Sequence, residues 1–227
     1  MLDPASAFHV PSDYSASEEA TRLLGLGNLI SGVDEEDLKV KIKKLPTTDY
    51  DIELASFFFF QLRHDERYHR DINNLKLIDR LKHLHNHIIK YKAIIDRKDE
   101  NCGDISKEVT DAVIVCLSAL VALGYGGYTT ESLGDYYIKE SVIRDEDIFY
   151  ELGSISKILE GHDHVETLSY TRDLTTHFQR LFVKFLSIYY YRVDKVFFNN
   201  YQKRLYSIQE RNPLHRKFVE HWGTIEL

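Results

Sequence analysis

At 227 residues with a formal charge of −7, the chain is long enough for one sizeable core, since single cores stop growing near about 250–300 residues. It also carries no bulk positive charge that would draw it to phosphate backbones, so general nucleic-acid binding is not expected. Hydrophobic residues at 43% and charged residues at 29% exclude disorder as the dominant state.

Residues 1–17 read as an irregular N-terminal arm rich in Ser, Pro and Ala, with no basic region followed by an apolar stretch. Two short helices are expected next, in SEEATRLLGLGNLI and DEEDLKVKIKKL, each opening with acids that suit a helix N-terminus. The four prolines stand at 4, 11, 46 and 213, which leaves the interior free for long helices. DIELASFFFFQLRHDERYHR reads as a helix; its four-Phe run would also suit a buried strand, but no strand partner with turn chemistry follows. NNLKLIDRLKHLHNHIIKYKAIIDRKDE repeats its apolar residues near every 3.6 positions and should be a long amphipathic helix.

After a break at NCGD, with Asp104 as a helix cap, ISKEVTDAVIVCLSALVALG reads as a mostly buried helix ended by glycine. Its apolar run of about 13 residues is too short for a bilayer, which needs ~20. Cys116 lies in that run as a small hydrophobe, and with Cys102 alone beside it there is no disulfide framework. A soluble, cytoplasmic protein with no membrane attachment is the expectation. Further helices follow from TTESLGDYYIKESV to residue 213, and a short tail helix ends near Trp222. The fold class is all-α: a helical bundle in one domain over 18–227. A weak ungapped match between 79–94 and 173–188 pairs Asp79, His83 and Lys90 with Asp173, His177 and Lys184. It would fit two related halves, about 73–140 and 145–213, packed as a pseudo-dimer.

KHLHNHIIKY (82–91) places three histidines on the long helix. At about 100° per residue, His83 and His87 share a face with Asp79 and Lys90, while His85 points elsewhere and should matter little. That face reads in three ways: a phosphate-binding cleft floor using Lys90, His83 and His87, a metal site on the two histidines, or ordinary interfacial histidines. His64-Asp65 in RHDERYH resembles the dipeptide of HD-type metal phosphohydrolases, whose metal shell needs another His about a helix earlier. The upstream His here is His9, in the arm.

Glu108 and Asp111 stand three apart at the polar start of the apolar helix. Two carboxylates so placed can share Mg²⁺, which takes one or two carboxylates plus substrate phosphates; acids also favour a helix N-terminus for its dipole alone. This E-x-x-D pair before AVIVCLSALVALG, with FYELGSISKILEG (149–161) and the tail RVDKVFFNNYQKRLYSIQERNP, resembles the all-α nucleotide pyrophosphohydrolases of the MazG and dimeric dUTPase kind. The resemblance covers about residues 73–213. In that family an E-x-x-E helix comes first, where this chain has Tyr91 and Ile94; Ser154 replaces the second Glu of the next motif, and Tyr170 and Asp173 stand where a second E-x-x-D would fall. The resemblance then implies one of two things. Either Glu108 and Asp111 are catalytic and, with Glu151 and Asp173, hold magnesium in one asymmetric site, or the fold is kept without the chemistry.

Two functions follow. The first is hydrolysis of a nucleoside triphosphate to monophosphate and pyrophosphate with Mg²⁺. The second is a non-catalytic helical module that binds a protein partner through IYYYRVDKVFFNNY (188–201), since Tyr joins an apolar body to a polar tip. Helical spacing suits the same aromatic residues to the core. Oligomeric state is open.

Overall fold

The computed structural model describes residues 54–101, 103–125, 132–143, 147–164 and 170–211. The N-terminal arm, the two short helices after it and the tail helix near Trp222 lie outside the described residues. Eight helices are described: α1 (Leu54–Tyr68), α2 (Arg70–Asn73), α3 (Leu77–Glu100), α4 (Ser106–Ala122), α5 (Leu133–Ile143), α6 (Ile148–His164), α7 (Thr171–Arg192) and α8 (Phe197–Arg211). The all-α expectation holds, with no strand among the described residues.

The apolar helix is the centre of the bundle. Thirteen of the 17 residues of α4 are buried, a distribution all around its axis that only a helix enclosed by others tolerates. It packs against α3, α7, α1 and α8. Asp104 does cap it, from one residue outside: its Oδ1 accepts the Ser106 N–H at 2.9 Å. The glycine stop is also where the sequence places it. Gly124 takes φ 76°, Tyr125 N–H donates to the Leu120 carbonyl at 2.9 Å and Gly124 N–H to Val121 at 3.0 Å. Those two bonds satisfy carbonyls that the helix end leaves open, and they need a left-handed residue between them.

The four-Phe run is helical, and the helix turns Phe57 and Phe58 inward while Phe59 and Phe60 stay half-buried. Phe57 stacks within 4.6 Å of Tyr201 and 5.9 Å of Phe197 on α8, so α1 and α8 share one aromatic layer. The tyrosine-rich segment 188–201 is mainly core: Tyr189, Phe197 and Tyr201 are fully buried, while Tyr191 is 80% exposed. Cys116 is buried as a small hydrophobe, and burial pushes its thiol pKa up.

None of the described helices is long and apolar enough to cross a membrane.

Candidate functional site

Where α1 meets α3, α4 and α8, a cavity of about 130 Å³ opens, and its walls carry Asp65, His69, Arg80, His83, His87 and Asp111. Each side chain arrives by simple helical spacing. Arg80, His83 and His87 recur at three and four residues on α3, the stripe that one helix face presents; the rings of His83 and His87 lie 4.6 Å apart. Asp111 comes from the first turns of α4, and Asp65 from the end of α1.

His69 stands just past the end of α1. The helix α1 ends at Tyr68, and His69 takes φ −125°, ψ 37° ahead of α2. Its N–H still donates to the Asp65 carbonyl at 2.9 Å, the i to i−4 bond of a helix, so His69 stays stacked over Asp65. Ligand-capable atoms of His64, Asp65 and His69 consequently lie within 4.8 Å of one another. Adjacent residues on a straight helix do not face one another. Residues four apart do, and His69 stands four beyond Asp65.

Asp65 is set from behind. Gln61 Nε2 donates to its Oδ1 at 2.9 Å and to Ser118 Oγ at 3.1 Å, and the Tyr201 hydroxyl donates to Gln61 Oε1 at 3.1 Å. This buried chain fixes the carboxylate's orientation. Its other oxygen, Oδ2, has no hydrogen-bond partner and lies 3.9 Å from Arg80 Nη2. Around it the same deficit recurs: both ring nitrogens of His64, Oδ1 of Asn73 and Nε of Arg80 are buried without partners. Each unpaired group of this kind costs about 1–3 kcal/mol, a concentration that fits a place prepared for something polar.

The charges are tuned by that burial. Burial holds His69 below the usual histidine pKa, opposed by Asp65. His87 is lowered by burial and then by His83 and Lys90, and Arg80 is lowered by burial against the pull of Asp65. Tyr91, also in the wall, is pushed up to about 12 by burial and by Asp111, whose carboxylate accepts its hydrogen bond.

The residues expected from sequence divide. His83 and His87 do line the cavity, but Asp79 and Lys90 on the same stripe are exposed. His85, expected to matter little, is instead buried at 4% exposure, because α6 covers the face it points to; its Nε2 donates to the Leu152 carbonyl at 3.0 Å.

The carboxylates expected to hold magnesium each have other company. Glu108 Oε2 accepts from Lys98 Nζ at 2.7 Å. Both oxygens of Asp111 accept from Arg204, at 2.5 and 2.8 Å. Glu151 sits 2.5 Å from His177 Nδ1 and 3.6 Å from Arg180, and Asp173 is exposed on α7. Among the described residues, the set of three or more side chains near enough to share one ion is His64, Asp65 and His69. A magnesium shell of Glu108, Asp111, Glu151 and Asp173 does not fit this arrangement, since three of the four would have to surrender a cation and they do not meet.

His69, Arg80, Gln61 and Tyr201 were missed in the sequence. RHDERYH shows the His-Asp pair, and the four-residue spacing of Asp65 and His69 on one helix was the signal that could have found His69.

No family model, no curated protein and no solved structure matches the chain. What is shared with the pyrophosphohydrolase resemblance is the all-α architecture.

Proposed function

We propose that the chain binds and hydrolyses a small phosphorylated molecule, with the α1–α3–α4–α8 cavity as its phosphate subsite. One observation carries this reading: Arg80, His83 and His87 stand together in the wall of a cavity that also holds Asp65, His69 and Asp111. Arg80 supplies a permanent positive charge and the two imidazoles supply ring N–H donors, the groups that recognise phosphate oxygens. Asp65 lies 3.9 Å from Arg80, and Asp111 holds Arg204.

Size narrows the ligand. Sites for drug-sized molecules run about 300–1,000 Å³, so a cavity of about 130 Å³ takes a phosphoryl group and leaves the rest of the molecule in the mouth. A nucleoside triphosphate is the substrate class that the E-x-x-D resemblance implies, with its terminal phosphates inside.

Incubating the purified chain with a panel of nucleoside triphosphates and simpler phosphoesters, with Mg²⁺ or Mn²⁺, and measuring phosphate and pyrophosphate release tests the reading. Turnover that falls at least about tenfold in Arg80→Met supports it, a charged hydrogen bond being worth about 1.5–3 kcal/mol. Absence of turnover, or undiminished turnover in Arg80→Met, overturns it. A non-catalytic docking role has one observation in its favour: Phe149 and Tyr150, in the first turn of α6, are 62% and 61% exposed. It predicts that no substrate in the panel is consumed.

A further inference from the structure

We infer that His64, Asp65 and His69 form a binding site for one first-row transition-metal dication of the zinc class, at the inner wall of the cavity. The donor set is two imidazoles and one carboxylate, the combination that three-ligand zinc sites and non-haem iron sites use while leaving positions open for water or substrate. Hard Mg²⁺ prefers an all-oxygen shell, so the same residues that fail as a magnesium site suit a softer ion.

Three independent features converge. The ligand atoms already lie within 4.8 Å of one another, and His64 Nδ1 stands 3.7 Å from Asp65 Oδ1; ligands at about 2.0–2.1 Å around one ion sit roughly 3.3 Å apart. His64 is 1% exposed with neither ring nitrogen hydrogen-bonded, and Asp65 Oδ2 is buried and equally unpartnered. Lone pairs in that state are ligands without an ion. Finally, the carboxylate has the outer support that metal ligands carry, from Gln61 and through it Tyr201.

Access is through the cavity, since Asp65 and His69 line it and His64 stands behind them. Arg80, 3.9 Å from Asp65 Oδ2, is the counter-charge that the ion would displace toward the phosphate. This deepens the phosphate-subsite reading by placing a Lewis acid beside the phosphoryl group, but metal affinity is measured without any phosphate. A failed metal titration leaves the phosphate titration standing, and the reverse also holds.

The test uses the full chain, stripped with a chelator and titrated with Co²⁺ or Zn²⁺ alone. The expected result is one equivalent bound, visible d–d bands for Co²⁺, a Zn²⁺-dependent rise in Tm, and no displacement by excess Mg²⁺. Asp65→Asn and His69→Gln should each weaken Co²⁺ binding by at least about 100-fold, beyond the 10–100-fold typical of losing an outer partner. His164→Gln, on the exposed end of α6, should leave it unchanged. Wild-type chain that takes up no stoichiometric metal overturns the site, as do folded Asp65→Asn and His69→Gln chains that bind as tightly as wild type. Should either variant fail to fold, the imidazole resonances of the intact chain decide: Zn²⁺ must move those of both His64 and His69, and unmoved signals overturn the assignment.

Discussion

Asp65 and Glu151 are buried to a similar depth, 2% and 0% exposed, and each has a histidine and an arginine for neighbours, yet their surroundings differ in one respect. Glu151 lies 2.5 Å from His177 and 3.6 Å from Arg180, a charge matched within the fold between α6 and α7. Each carboxylate keeps one oxygen without a hydrogen bond, Glu151 Oε1 and Asp65 Oδ2, but the bonded oxygen of Asp65 has the neutral Gln61 for its partner, and neither ring nitrogen of His64 makes a hydrogen bond. Burial of a carboxylate is thus not what marks a site. What sets Asp65 apart is a neutral hydrogen-bond partner and a buried histidine beside it with no hydrogen bond of its own, a cost that a ligand can relieve.

The largest effect that separates the two regions is on stability. Glu151→Ala removes the carboxylate that the half-buried His177 and Arg180 share, and losing a hydrogen bond to a charged group costs about 1.5–3 kcal/mol. Asp65→Asn keeps the Gln61 bond and should cost only about 1 kcal/mol. Urea unfolding of the two variants measures the difference. If Asp65→Asn is the more damaging, the distinction between matched and unmatched carboxylates fails.

Binding should split the other way. Arg80→Met is expected to lower affinity for inorganic phosphate by about 10- to 100-fold, the range for losing a charged hydrogen bond, with Glu151→Ala unchanged wherever it remains folded. Calorimetric titration gives both numbers.

Acid should erode stability through the histidines of α3. Burial lowers the pKa of folded His85, with the Leu152 carbonyl opposing, so the stability it contributes is fully present above the unfolded value of about 6.5. As pH falls below that value the unfolded chain takes up a proton that the folded chain resists, and stability drops by at most about 1.4 kcal/mol per pH unit for this one group. The slope ends once folded His85 also protonates. His87 and His69 shift in the same direction. Denaturation midpoints across pH 7 to 5 should fall in wild type and fall less in His85→Gln; identical slopes would remove His85 from the account.

A smaller effect reads the cavity wall itself. Tyr91 is held at about 12 chiefly by burial and then by Asp111. In Asp111→Asn its titration should move down part of the way and stay above the ordinary value of about 10, as ultraviolet absorbance would show. A fall all the way to 10 would mean that burial is not the larger cause.

Much of the scaffold was legible because its signals are local. The apolar run of α4, the acid before it and Gly124 after it each act within one or two turns, and all three behave as the sequence indicates. The stripe of His83 and His87 was legible from period alone, but period cannot say what covers a face. That is why Lys90 and Asp79 proved exposed and His85 buried beneath α6. The carboxylates were misleading for a related reason: Asp111 meets Arg204 from 93 residues away, and no local pattern announces that partner. His69 joined the site by its four-residue spacing from Asp65, which the i to i−4 bond between them preserves.

The central claim is that the α1–α3–α4–α8 cavity, and not the buried Glu151 with its His177 between α6 and α7, receives the ligand. Histidine ring resonances followed while inorganic phosphate is added to the full chain test it most directly. The account predicts saturable, concerted shifts of His83 and His87 with His177 and His164 unmoved. A shift of His177 as large as theirs, or no saturable shift at His83 and His87, would contradict it.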